Sequence, residues 1–280
     1  MSEYKYKSLV FDGSTQFMNI HLLGELQDEY FKSREFKDKK HMREIAVQTE
    51  TDWTIFNAMA FQMLRVFKMM RMIAGNTNYF IMLYGSTGVG KTASVLASSP
   101  EPILYIDAEN RPVSLAMDAI EEVEGRRPKC HQEFFDHPDK LIGFLNDQVD
   151  EGANGLLVTV IALSRTINRF KKMRDKFGKA MDITDPKFYQ VLNTLERGGF
   201  TDLSSYTIPN YEGDKFLKSF PGMLDYIGFV VDRYDSEDNV VFPPLVKFER
   251  NEDYLGKWTG ARKKGKLVGP LDFRKMFKGK

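Results

Sequence analysis

The chain has 280 residues, with 40 lysines and arginines against 39 aspartates and glutamates and a formal net charge of +1. A hydrophobic content of 42%, with 13% aromatic residues, supplies a substantial core and excludes general disorder. The near-neutral balance means that any charged partner must be recognised locally, and the single cysteine, Cys130, excludes an intrachain disulfide framework and fits a reducing compartment.

The first residues, Met1 to Lys7, are polar and charged and lack the apolar run of a signal peptide. Residues 1 to about 50 are densely charged and weakly periodic, compatible with an arm, a hairpin or loosely packed helices. Trp53 to Ile73 is the most apolar segment, but Arg65, Lys68 and Arg71 make it too costly for a lipid-facing span. The pattern predicts an amphipathic helix beginning near Thr51-Asp52 and stopping at Gly75, its methionine-rich face turned to the core. The expectation is a cytoplasmic protein with no membrane partner.

Tyr79-Phe-Ile-Met-Leu-Tyr84 reads as a buried strand, and Lys91 to Ala97 as a short helix stopped before Pro100. Between them, Gly85-Ser86-Thr87-Gly88-Val89-Gly90-Lys91-Thr92 fits G-x-x-x-x-G-K-[ST] at every fixed position, in the strand–loop–helix setting that a phosphate-binding loop requires. The glycines let the main chain approach an anion, and successive N–H groups at a helix start form a nest for it. Lys91 is placed to neutralise β- and γ-phosphates, and the Thr92 hydroxyl to hold Mg²⁺. ATP and Mg²⁺ are therefore the expected ligands.

Ile103-Leu-Tyr-Ile-Asp107 is the next strand, which puts Asp107 and Glu109 at its carboxyl end, where α/β sheets bind ligands. From there Glu109 could orient and deprotonate an attacking water, with Asp107 in support; alternatively the two carboxylates simply cap the helix that follows. Helices are predicted over 113–124 (stopped by Gly125) and 138–149, a strand over 156–161, and helices over 164–181 and 186–197. Strands over 226–232 and 239–248 flank the turn Asp235-Ser-Glu-Asp-Asn239 as a hairpin.

A phosphate loop followed by a hydrophobic strand ending Asp107-Ala-Glu109 resembles the core of bacterial RecA and its relatives. It is closer still to the RecA-like ATPases of phages, which include single-strand annealing recombinases. The resemblance covers about 78–275 and is most specific at 79–109. It implies a RecA-like P-loop NTPase fold, a mostly parallel central sheet flanked by helices, with Glu109 as the catalytic carboxylate. Gly256-Lys-Trp-Thr-Gly-Ala-Arg262 resembles the family's carboxy-terminal basic segment, which implies that Lys257 or Arg262 acts on the γ-phosphate of a neighbouring subunit in a homo-oligomer. One departure stands out: the family carries a Mg²⁺-holding aspartate at a strand end, and 156–161 has no acid. Thr159 or Ser164 would be weaker substitutes. Asp232, ending the run Tyr226 to Val231, fits the local pattern but falls in the hairpin.

Single-stranded DNA is the partner that the resemblance implies. Arg165, Arg169, Lys171, Lys172, Arg174, Lys176 and Lys179 form one basic segment, and Lys257, Arg262, Lys263, Lys264, Lys266, Arg274, Lys275, Lys278 and Lys280 another. Phe170, Phe177, Trp258, Phe273 and Phe277 lie among them as candidate stacking platforms, or else as core. His21, His41, His131 and His137 are scattered and form no zinc motif. The expected organisation is a charged arm and amphipathic helix over 1–75, preceding a RecA-like ATPase domain over 76–280 with a carboxy-terminal hairpin and a basic tail. The expected function is ATP-dependent handling of single-stranded DNA in recombination, repair or replication. The alternatives are a nucleotide-switched adaptor or helicase loader with little hydrolysis, and a small-molecule kinase.

Overall fold

Apolar runs of four to six residues, buried on both faces, pair side by side at the centre of the molecule, the signature of a parallel sheet covered by helices. A computed structural model describes residues 5–18, 50–75, 79–170, 203–211, 214–249, 251–259 and 268–276. Its strands are β1 (Ser8–Asp12), β2 (Phe80–Gly85), β3 (Ile103–Asp107), β4 (Cys130–Phe134), β5 (Leu157–Phe170), β6 (Leu203–Pro209), β7 (Tyr226–Val231), β8 (Leu245–Lys247), β9 (Lys257–Trp258) and β10 (Val268–Pro270). The order across the sheet is β10-β8-β7-β2-β5-β1-β3-β4. From β7 to β4 every neighbouring pair is parallel, whereas β8, β9 and β10 add antiparallel pairs at one side.

Side chains alternate between two hydrophobic layers. Leu9, Phe11, Met82, Tyr84, Val158 and Ile106 face one layer, while Val10, Ile81, Leu83, Tyr105 and Ile161 face the other. The first layer is covered by α2 (Glu50–Ala74), α5 (Pro138–Asp150) and α6 (Asp214–Met223), the second by α3 (Lys91–Ser98), α4 (Ser114–Glu124) and the short α7 (Phe273–Met276). Each fully buried Leu, Val, Ile or Phe in these layers contributes about 1.5–3 kcal/mol. In α2, Met63, Val66, Phe67, Met70 and Ile73 recur at helical spacing and are buried, while Arg65 and Lys68 are exposed, as the amphipathic pattern requires. The helix ends at Gly75, whose φ of 62° closes the last turn. Among the described residues no helix is long and apolar enough to cross a membrane.

Three expectations need correction. Residues 5–18 and 50–75 are not an appendage to a domain starting at 76: β1 lies between β3 and β5, with Leu9, Val10 and Phe11 fully buried, and α2 forms part of the main core. The run Leu9-Val-Phe is too apolar to leave solvated, and the only place that buries both its faces is the interior of the sheet. Residues 164–170 are strand, not helix. At Leu163 β5 leaves β2 and continues as a two-stranded antiparallel ribbon with β6, from Ser164↔Pro209 to Phe170↔Leu203. The rest of the predicted helix 164–181, and all of 186–197, lies outside the described residues. The hairpin after β7 is present, but its second strand is shorter than expected: Tyr234 bridges Val240, and regular pairing resumes only at β8.

Candidate active site

The carboxyl ends of β1, β2 and β3 and the middle of β5 (Ile161, Ala162 and Leu163) open into one cavity of about 550 Å³, lined by Asp12, Gly88, Gly90, Lys91, Thr92, Tyr105, Glu109 and Leu163, among others. Four parallel strands thus deliver the loop 85–92, the end of β3 and the end of β1 to one place.

The loop's conformation follows from its glycines. Gly88 and Gly90 have φ of 81° and 82°, in the left-handed region that favours glycine, and Gly90 is the N-cap of α3 without a side chain to cap it. The first N–H groups of α3 consequently have no side-chain acceptor at the cap, which leaves a positive helix end facing the cavity. Lys91 is buried there; its Nζ donates to Gly85 O at 3.1 Å and Ser86 O at 2.6 Å. Among the described residues no carboxylate comes within ion-pair distance of it, and burial pulls its pKa down to about 8 although Asp12 and Glu109 oppose the shift. A buried cation beside uncapped N–H groups is a setting that an oxyanion would complete.

Thr92 faces an unexpected partner. Its Oγ1 donates to Asp12 Oδ2 at 2.5 Å, the Tyr105 hydroxyl donates to the same oxygen at 2.8 Å, and Gly13 N donates to Oδ1 at 2.8 Å. Asp12 ends the hydrophobic strand β1, so an acid stands at a strand end beside Thr92, whereas 156–161 has none. Asp232, by contrast, is exposed at the end of β7 and does not line the cavity. Thr159 is buried between β1 and β2 with an unbonded hydroxyl, two residues short of the cavity wall, and Ser164 pairs with Pro209 in the ribbon.

Asp107 and Glu109 take different parts. Asp107 is buried; its Oδ1 accepts from Glu109 N at 2.8 Å and its Oδ2 from Arg111 N at 2.8 Å and Gln132 Nε2 at 3.0 Å, so it shapes the turn that presents Glu109. Glu109 lines the cavity and lies largely out of solvent, 16% exposed in its side chain. Burial raises its pKa, and the nearby Asp12 adds to the rise while Arg111 opposes it. Arg111 Nε sits 3.0 Å from Oε2, and the Gln16 carboxamide faces the same carboxylate, to which its nitrogen donates once turned toward it. Gly13 lies directly beneath: a Cβ there would stand 2.5 Å from Glu109 Cγ.

Residues 14–16, which form the single-turn α1, tie this corner to β5. Ser14 Oγ donates to Ile161 O at 2.6 Å and shares a 2.6 Å hydrogen bond with the Tyr211 hydroxyl, while Thr15 Oγ1 accepts from Leu163 N at 3.0 Å.

The remaining expected residues fall elsewhere. Lys257 is in β9, paired with the amino-terminal end of β7, and its Nζ donates to Pro221 O at 2.6 Å and to Leu224 O at the end of α6. These contacts engage its ammonium at the end of the strands opposite the loop 85–92. Arg262 lies outside the described residues, as do Lys263, Lys264, Lys266, Phe277, Lys278 and Lys280. Trp258 packs edge-on against Tyr226 and Phe248, and Phe273 is buried in the core; neither is a free stacking platform. Arg274 pairs with Asp272 and Glu124, and Lys275 with Asp272. Lys171 to Lys179 are outside the described residues, which leaves Arg165 and Arg169 of the first basic segment on β5.

Among the described residues no group of three or more His, Cys, Asp or Glu could hold a metal unaided. A divalent ion would fit beside Thr92 and Asp12 only in company with an anion that brings oxygen ligands of its own. Comparison with known protein families, with curated proteins and with solved structures found no match.

Proposed function

We propose that this chain is a RecA-like P-loop ATPase that acts on single-stranded DNA in recombination, repair or replication. The observation that carries this is the convergence of Lys91, Thr92, Asp12 and Glu109 on one cavity at the carboxyl edge of parallel strands. Gly85 to Thr92 cradle the phosphates of ATP, with Lys91 against the β- and γ-phosphates. Mg²⁺, when bound with the nucleotide, neutralises charge that develops on the phosphates. Thr92 gives its only proton to Asp12, so that its oxygen lone pairs stay available toward the ion, and Asp12 supplies the compensating negative charge. Glu109 accepts the proton of the attacking water, its raised pKa bringing its basicity nearer to working pH. Pro112, Val113, Leu115 and Ala116 offer the nucleobase an apolar wall.

Support for a DNA partner comes from the ribbon of β5 and β6. It departs at Leu163, which lines the cavity, and carries Arg165 and Arg169 away from it, so one continuous strand runs from the cavity wall into a basic ribbon. ATP hydrolysis measured with and without single-stranded DNA tests the whole reading. Turnover raised by DNA and lost in Lys91→Ala and Glu109→Gln is expected.

The engagement of Glu109 by Arg111 and Gln16 favours a second reading, in which the chain binds ATP and switches partners without efficient hydrolysis. Nucleotide binding abolished by Lys91→Ala, with no turnover in the native protein under any DNA condition, would select it.

A further inference from the structure

Asp12, Thr92 and Tyr105 come from three separate elements, β1, α3 and β3, and meet at one oxygen atom. Both hydroxyls donate to Oδ2 of Asp12, at 2.5 Å from Thr92 and 2.8 Å from Tyr105. A carboxylate oxygen has two lone pairs, and here the two donors take both. With Gly13 N on Oδ1, the carboxylate is held at three points.

Tyr105 is suited to hold rather than to react. It sits on the rigid β1–β3 parallel pair, opposite Val10 in register, two residues before Asp107 opposite Asp12. Its ring is buried in the layer covered by α3, with only 4% of the residue exposed. Burial and the neighbouring Asp12 push its phenol far above the ordinary range, so it stays a donor at every working pH. A phenylalanine would fill the same layer, and the hydroxyl adds only the bond to Asp12.

We propose that Tyr105 is a positioning residue for the metal side of the phosphate site. Its hydroxyl fixes the Asp12 carboxylate in the one orientation that accepts the Thr92 proton, and so readies the Thr92 oxygen for a nucleotide-bound divalent cation. This rests on the ATP-site reading and extends it to a residue outside the phosphate loop, the strand-end acid and Glu109. Without the phenol, Asp12 keeps only the bonds from Thr92 and Gly13 N, so its carboxylate is held less firmly in the orientation that accepts the Thr92 proton. Loss of one hydrogen bond to a charged group of this kind corresponds to roughly a 10-fold effect.

The test is the affinity for a fluorescent ATP analogue, measured in EDTA and across a Mg²⁺ series, for the native chain, Tyr105→Phe, Asp12→Asn and the double variant. In EDTA, Tyr105→Phe is expected to bind within about twofold of native, which also reports an intact fold. With Mg²⁺, the concentration giving half the effect should rise roughly 5- to 10-fold in Tyr105→Phe. In the Asp12→Asn background the same substitution should change nothing further. An unchanged Mg²⁺ midpoint in Tyr105→Phe overturns the proposal, as does an equal loss in EDTA and Mg²⁺, which marks a merely structural role. Failure of the native chain to bind the analogue under either condition overturns the ATP-site reading itself, and this inference with it.

Discussion

The Asp12 carboxylate and the Thr92 hydroxyl, eighty residues apart in sequence, meet at 2.5 Å. This contact joins the amino-terminal strand to the phosphate loop and places a negative charge behind the threonine. Asp12→Asn keeps the side-chain volume and removes the charge. The expected result is a fall of roughly 10- to 100-fold in Mg²⁺-dependent nucleotide affinity or turnover. Binding in EDTA should be largely retained, since the loop and Lys91 are untouched. Isothermal titration with and without Mg²⁺ checks this, and equal losses under both conditions would remove Asp12 from the metal side of the site.

Much of this arrangement was legible in the sequence, because the chemistry constrains neighbours along the chain. A strand, eight loop residues and a helix start must be contiguous to bind phosphate, so 79–98 could be read locally and β2 and α3 follow it. The strand ending at Asp107 and Glu109 was equally local. Asp12 was not sought where it lies. Ser8-Leu-Val-Phe-Asp12-Gly13 carries the required signal, an apolar run buried on both faces that ends in an acid, but it is short and surrounded by charge. Which strand becomes the neighbour of β3 and β5 is decided by tertiary pairing, not by order along the chain. The same limit explains residues 164–170. The basic run from Arg165 reads locally as part of a long helix, whereas pairing with β6, more than thirty residues downstream, makes its first residues strand. Lys257 shows the converse, for its basic surroundings gave no sign that its ammonium is used up by two carbonyls.

Lys91 carries a desolvation cost that a bound phosphate would relieve. In the free protein its pKa is lowered from 10.5 to about 8 by burial. Between those values the unfolded chain holds a proton that the folded protein has released, so stability rises with pH across that window. Below pH 8 both states are charged and the full penalty of burying the cation is present. Lys91→Met should therefore stabilise the nucleotide-free protein at pH 7, by roughly 1–3 kcal/mol, while abolishing ATP binding. Its advantage over the native chain should shrink as pH rises from about 8 to 10.5. Chemical denaturation at several pH values checks this, and a destabilised Lys91→Met at pH 7 would show that the lysine's contacts outweigh its desolvation. By the same proton count, native affinity for ATP should weaken above pH 8, where binding must take up a proton.

Gly13 is constrained twice, by its φ of 75° and by Glu109 Cγ, 2.5 Å from where a Cβ would stand. Gly13→Ala must both strain the backbone and displace Glu109 from its place beside Gln16. A loss of roughly 1–3 kcal/mol in stability is expected, together with reduced turnover. In a Glu109→Ala background the steric component disappears and only the backbone strain remains, so the two substitutions should be clearly non-additive in denaturant titrations. Additive losses would mean that Glu109 does not press on this turn.

Lys257 separates a structural role from a trans-acting one. Its Nζ donates to Pro221 O and Leu224 O at the carboxyl end of α6, where helix carbonyls otherwise lack donors. Burial lowers its pKa, with Asp225 opposing the shift and Arg71 adding to it. Lys257→Met keeps the aliphatic stem and leaves those two carbonyls without the charge-assisted bonds. A stability loss of roughly 1–3 kcal/mol is expected, with ATP turnover per folded molecule unchanged at a temperature well below the transition. The opposite pattern, turnover lost at unaltered stability, would return Lys257 to the phosphate of a neighbouring subunit and require β9 to leave the edge of β7 during assembly.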